Sequence, residues 1–276
     1  MLAAPLSDRA RRVDSAVFSV IVTTHRRPVE LRRALSSVFS TNRTVSEVIV
    51  VDDLGAPETG QVIGEFSGKP LRYERRGGPP TPATSRNLGV ELARGRYVVF
   101  LDDDDEFNQG YLDLLADELA GRGYPKFGYT DWIERKWSTQ GGRANFTVTP
   151  HCIPDNHAIH VLVGNVVALN AAFIETDFAR RFRFDEQLDT HEDWDWIIAV
   201  TRAHPAEHIE IFGPIVNTNA QGGGHRNTSG AHGKGPAFRK IFERWPLTDV
   251  ERAAGLARVR VLVLADLGIA VGEGEV

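Results

Sequence analysis

The stretch Tyr97-Val-Val-Phe-Leu-Asp-Asp-Asp-Asp-Glu106 runs from five apolar or aromatic residues straight into five acidic ones. A short continuous apolar run rich in β-branched and aromatic residues reads as a strand buried on both faces. Burial on both faces belongs to parallel sheets covered by helices. The acidic run then marks the carboxyl end of that strand, the edge at which open α/β sheets bind ligands.

The flanking sequence repeats the pattern. Upstream, Val17-Phe-Ser-Val-Ile-Val-Thr23 is a buried strand followed by Thr24-His-Arg-Arg-Pro28, and Val48-Ile-Val-Val51 is another, ending in Asp52-Asp-Leu-Gly55. Leu71-Arg-Tyr73 is a weaker third strand. Between the first two, Leu31, Ala34, Leu35 and Val38 keep the spacing of an amphipathic helix, with Pro28 where a first helical turn tolerates it. The Gly/Pro-rich loop Gly77–Pro82 precedes a helix carrying Arg86, Asn87, Leu88 and Leu92. Strands alternating with helices of this length predict parallel βαβ units. The expected fold is α/β, a mostly parallel sheet flanked by helices. Beyond about residue 127 the pattern loosens into short strands and loops, with one good helix from about Glu192 to Arg202. The expected layout is a polar leader over 1–16, two halves over 17–125 and 126–220, and a loop with a helical tail over 221–276.

The 276 residues are 42% hydrophobic and 25% charged, as in a globular protein. A net charge of −5 excludes wholesale binding of nucleic acid through a basic surface. A single cysteine, Cys152, excludes an internal disulfide and a four-cysteine zinc site, and it suits a reducing compartment. Val259 to Val271 contains Arg260 and Asp266 and falls short of the ~20 apolar residues of a membrane span. The first 16 residues lack the apolar run of a signal peptide. A cytoplasmic protein is expected, compatible with peripheral association at the inner face of a membrane.

Four adjacent carboxylates, Asp102 to Asp105, repel one another, and a divalent cation offsets that. Hard oxygen donors suit Mg2+ or Mn2+. Asp102 and Asp104 project to the same side if the strand continues; the alternative is a solvated acidic turn before a helix that begins near Tyr111. Asp52 and Asp53 either face a ligand or cap the following turn. Arg86, near a helix N-terminus, suits a diphosphate; otherwise it is a surface arginine paired with Glu91 or Asp53. The cluster Glu192-Asp-Trp-Asp-Trp196 opens a helix, where the macrodipole favours carboxylates. Asp193, beside an apolar stripe, can be aimed into a cleft, while Trp194 and Trp196 read as core rather than as sugar platforms.

Taken in order, Val20-Ile-Val-Thr-Thr-His-Arg-Arg-Pro28, Val48-Ile-Val-Val-Asp-Asp53, Ser85-Arg-Asn-Leu-Gly89, Gly95 to Asp105 and His191-Glu-Asp-Trp-Asp-Trp196 resemble family 2 glycosyltransferases of the GT-A fold. The resemblance spans roughly residues 17 to 200. It implies a metal-dependent, inverting transfer of sugar from a nucleoside diphosphate, UDP by default, to an acceptor hydroxyl. Residues 17–125 would bind the nucleotide-sugar and 126–220 the acceptor, a saccharide, a lipid-linked glycan or a small molecule. Thr23, His25 and Arg27 would line the nucleotide pocket and Asp53 would face the base or ribose. Arg86, Asp102 and Asp103 would meet the donor diphosphate. Mn2+ or Mg2+ would sit on Asp102 and Asp104, with His225 of the late loop closing the metal or diphosphate site. Asp193 would be the catalytic base and Glu192 would bind substrate hydroxyls. The family usually carries Gly-Ser soon after the Asp-Asp pair, where this chain has Leu54-Gly55-Ala56. Two competitors stand beside this reading. A sugar nucleotidyltransferase would want a glycine-rich phosphate loop after the first strand, and Thr23 to Pro28 holds no glycine. A non-catalytic nucleotide- or glycan-binding module would have no need of Asp102, Asp104 and Asp193 together.

Overall fold

The computed structural model describes residues 18–40, 43–78, 81–140, 143–153, 157–219, 231–269 and 271. In chain order the elements that matter for the site are β1 (Phe18–Thr24), α1 (Pro28–Phe39), β2 (Val45–Asp52), α2 (Pro57–Glu65), β3 (Leu71–Arg75), α3 (Pro82–Leu92) and β4 (Tyr97–Asp102). There follow β5 (Glu106–Phe107), α4 (Tyr111–Gly121), β6 (Phe127–Gln140), β7 (Arg143–His151), α5 (His157–His160), β8 (Ala172–Glu175) and α6 (Thr176–Ala179). The last are α7 (Glu192–Ala203), β9 (Glu207–Asn219), α8 (Ala231–Arg244), α9 (Asp249–Ala253) and α10 (Leu256–Asp266).

These strands form a single sheet in the order β3-β2-β1-β4-β8-β6-β9-β5, with β7 added on β6. The apolar runs at 18–24, 45–52 and 97–102 become adjacent parallel strands, because each can bury both faces between helix layers. The chain steps outward from β1 to β2 and β3 and then returns to β4 on the other side of β1. That reversal aligns the strand ends: Thr23 pairs with Asp102 and Thr24 with Asp52. Polar clusters far apart in sequence thus meet at one sheet edge.

One face of the sheet packs on α1 and α4 through Leu31, Leu35, Val38, Leu112 and Leu115. The other packs on α3 and α7 through Ala83, Val90, Trp196, Ile197 and Val200. Gly89 lets α3 lie directly on β1, since a Cβ there would stand 2.4 Å from the Ile21 side chain. Trp196 stacks on Phe184 at 4.9 Å and meets Phe100 edge-on at 5.6 Å, fixing α7 against β4. The opposite face of α7, with Trp194 and Ile198, is covered by α8 and α10. Both tryptophans are fully buried, as core residues.

Beyond residue 127 the expected helix from Glu192 is present as α7, but the strands differ from the sequence reading. Instead of short strands, β6 runs for 14 residues and β9 for 13, paired in parallel over most of their length. Pairing of β4 with β8 and of β8 with β6 is antiparallel, so the sheet is mixed rather than mostly parallel. The outer part of β6 carries Glu134, Arg135 and Lys136 half in solvent, which erases the apolar signature of a strand.

Candidate active site

A cleft of about 840 Å³ opens at the carboxyl ends of β1 and β4, closed on its far side by the first turn of α7 and the end of β9. Nine carboxyl groups line it against three guanidiniums, those of Arg26, Arg27 and Arg86.

The acidic run leaves the strand at Asp102. The Asp105 N–H donates to the Asp102 carbonyl at 3.1 Å, closing a turn, so strand alternation stops there. The turn sorts the four carboxylates into two pairs. Asp103 and Asp105 are buried. Asp103 accepts from the Thr24 hydroxyl at 2.7 Å, the His25 N–H at 3.3 Å and Arg27 at 3.0 Å. These donors hold the Asp103 carboxylate in the wall of the cleft. Asp105 accepts from Asn170 at 2.5 Å and from the Asn217 N–H at 2.7 Å. Burial pushes the Asp103 carboxyl up to about 7, with Arg27 opposing the shift, and holds Asp105 well above the ordinary carboxylate value.

Asp102 and Asp104 keep about a third of their side chains open to the cleft, 37% and 36%. Asp104 is raised by burial first and by the charge of Asp102 second, so the two carboxylates repel one another. Arg27 donates to Asp104 at 2.7 Å, and the Asp104 carbonyl is held by Asn217 at 2.8 Å and Arg33 at 2.6 Å. Two hard oxygen donors of like charge fit a divalent cation that takes its remaining ligands from water and a substrate phosphate. Among the described residues no group of three or more His, Cys, Asp or Glu side chains is arranged to hold a metal by itself. His225 lies outside the described residues.

At the end of β1, Thr23 lines the cleft and the His25 Nδ1 lies 2.5 Å from Asp53. The two readings of Asp52 and Asp53 divide between them. Asp52 caps the turn, accepting from the Leu54 and Gly55 N–H groups at 3.0 and 2.9 Å and from the Tyr73 hydroxyl at 2.9 Å. Asp53 faces the cleft.

Arg86 departs from its reading as a surface arginine paired with Glu91 or Asp53. It lies in the second turn of α3, and its guanidinium, with 7% of the side chain exposed, donates to Asp102 at 2.8 Å and to Glu192 at 2.6 Å. Glu91 pairs instead with Arg183, and Asp53 with His25. Two carboxylates already pair with Arg86, which ties the acidic turn to α7. Glu192 is correspondingly buried and paired with Arg86 in the lining of the cleft. Burial raises its carboxyl, with Arg86 pulling the other way.

Asp193 is half-buried at the mouth of the cleft. It accepts from the Trp194 N–H at 2.8 Å and from Asn165 at 3.4 Å, with no guanidinium within ion-pairing distance among the described residues. Asp195 points the other way, to Arg244 at the end of α8 at 2.7 Å and to the indole of Trp245, just beyond it, at 2.8 Å. Of the three carboxylates that open α7, Asp193 is thus the one that lines the cleft without an ion pair among the described residues. Asn165 and Asn217 went unread because single asparagines in a weakly patterned region carry no spacing signal. Arg26 had one, the basic run His25-Arg-Arg27 at the strand end.

A family model described as "Glycosyl transferase family 2" matches residues 19–161, from β1 through the acidic turn to α5. The GalNAc(5)-diNAcBac-PP-undecaprenol beta-1,3-glucosyltransferase of Campylobacter jejuni is 34% identical over 109 residues, 38% of this chain and 35% of that protein. The amylovoran biosynthesis glycosyltransferase AmsB of Erwinia amylovora is 25% identical over 210 residues, 72% of this chain and 68% of its own length. The chain therefore spans about a third of the one relative and two thirds of the other. Among solved structures, Staphylococcus aureus TarS 1-349 in complex with UDP-GlcNAc superposes with a TM-score of 0.62 over 92% of this chain and 73% of that one, at 18% identity. The likeness establishes the GT-A fold. With the family model covering more than half its length, the chain belongs to glycosyltransferase family 2.

Proposed function

We propose that the protein transfers a sugar from a nucleoside-diphosphate donor to an acceptor hydroxyl, with inversion at the anomeric carbon and with Mn2+ or Mg2+ bound at Asp102 and Asp104. The observation that carries this reading is the Arg86 bridge. It ties Asp102, at the donor end of the cleft, to the first turn of α7, which presents Asp193.

Asp193 takes the proton of the acceptor hydroxyl as that oxygen attacks the anomeric carbon. The bond from that carbon to the diphosphate oxygen breaks, and its electron pair leaves with the diphosphate. Asn165 and the Trp194 N–H hold the Asp193 carboxylate in place during the transfer. When bound, the cation supplies Lewis-acid neutralisation of the leaving diphosphate. A cleft with nine carboxyl groups would repel a nucleoside diphosphate on its own, which supports the requirement for a cation. His25 and Asp53, at the end of β1, receive the nucleoside.

Uridine is the proposed base, in keeping with the UDP-GlcNAc held by a protein of the same fold. The relatives' names point to acceptors that are growing glycans or lipid-linked saccharides. Among the described residues no helix is long and apolar enough to cross a membrane, so such an acceptor would be met at a membrane surface. Thermal unfolding with UDP, GDP, CDP and their sugars, with and without Mn2+, tests the donor. A ligand at 100 times its dissociation constant adds about 2.7 kcal/mol of stability. Release of nucleoside diphosphate on adding an acceptor then separates an enzyme from a binding module, and absence of pyrophosphate production excludes a nucleotidyltransferase.

A further inference from the structure

We propose that Arg26 is the guanidinium that receives a phosphate of the donor's diphosphate; the inference rests on the donor reading above. Three arginines line the cleft, and two are already neutralised. Arg27 is paired with Asp103 and Asp104, and Arg86 with Asp102 and Glu192. Arg26 is exposed and makes no ion pair or hydrogen bond among the described residues.

Its backbone supplies a second, independent observation. Arg26 has φ +53°, a left-handed conformation that L side chains beyond Asn and Asp seldom adopt. Strain of this kind gathers at ligand sites, where the surrounding structure holds it in place. Two other described non-glycine residues share it. Tyr124 lies outside the cleft beneath the Arg96 guanidinium, and His191 lines the cleft beside Asp193. At position 26 the surroundings explain how the strain is held. The His25 N–H and the Arg27 guanidinium both reach Asp103, anchoring the chain on either side and leaving the residue between them in the open cleft.

A guanidinium that no described carboxylate engages is left to pair with an anion brought into the cleft with its cation, and a phosphate accepts its forked donors best. A phosphate could come from the donor or from an acceptor, and the location at the end of β1, beside His25 and Asp53, favours the donor.

The test is calorimetric titration of UDP and of uridine, in Mg2+, into the wild type, Arg26→Gly and Arg26→Lys. Glycine suits the positive φ, so Arg26→Gly should melt at or above the wild-type temperature. It should nevertheless bind UDP about tenfold or more weakly, the expected loss of a charge-assisted contact, while uridine changes less than twofold. Arg26→Lys should fall between. UDP affinity within twofold of wild type in Arg26→Gly overturns the inference and, if acceptor KM rises instead, moves the contact to an acceptor phosphate. Equal losses for UDP and uridine overturn it as well. A wild type that binds no nucleoside diphosphate overturns the donor reading itself, an outcome distinct from the other two.

Discussion

Arg86 and Glu192, 106 positions apart in sequence, meet at 2.6 Å in the floor of the cleft, and the same guanidinium holds Asp102 at 2.8 Å. Removing one partner of a buried pair strands the other charge, at a cost of about 3–5 kcal/mol. Arg86→Ala should therefore lose stability of that order in urea unfolding. Arg86→Ala combined with Glu192→Gln should lose clearly less than the sum of the single changes. Additive losses would mean that the pair is not coupled.

Asp102 and Asp104 are the two acidic-turn carboxylates left open to the cleft, and the metal reading rests on them. Asp104→Asn should abolish the gain in UDP affinity on adding Mn2+, and EDTA should do the same to the wild type. Turnover should fall in both, by about 10²-fold or more if the cation neutralises the leaving group. Full activity in EDTA would contradict metal dependence.

The buried carboxyls of the turn also set a pH dependence. The unfolded chain releases the Asp103 proton near its ordinary value of 3.8, whereas the folded protein holds it until about 7. Between those values the folded state binds more protons, so the contribution of Asp103 to stability falls as pH rises and levels off above about 7. Asp104, Asp105 and Glu192 are shifted in the same direction. The carboxyls held below their ordinary values, such as Asp185, Glu186 and Glu251, are ionised in both states above about pH 5 and add no slope there. In EDTA the melting temperature should be higher at pH 5 than at pH 8. The difference should shrink in Asp103→Asn, and on adding Mg2+ with UDP. A flat or opposite profile would contradict the burial of these groups.

The strands and helices that build the donor side were legible because each signal is local. A continuous apolar run such as Val20 to Val22 needs no partner to be read as a buried strand, and α7 begins at Glu192, as its acidic first turn suggests. Strand ends were legible as a site because the topology of a parallel sheet brings them together. What the sequence concealed is pairing. Which of the four aspartates faces solvent depends on a turn closed by Asp102 and Asp105 and on donors from Thr24, Arg27, Asn170 and Asn217. The pairing of Arg86 could not be read either, because its partner Glu192 comes from a helix on the other side of the cleft. The long strands β6 and β9 were missed because their outer halves are polar and lean on each other rather than on the core.

The most direct test of the proposed transfer is Asp193→Asn, which keeps the side chain's size and its contact with Asn165 but removes its basicity. Donor affinity is measured by calorimetry and sugar transfer in a single turnover, on the same preparation. If Asp193 is the base, the dissociation constant for UDP changes less than twofold while the transfer rate falls by about 10²–10⁴. Transfer at close to the wild-type rate, with at most ~1 kcal/mol lost from the start of α7, would make Asp193 a helix-terminal carboxylate and place the base elsewhere.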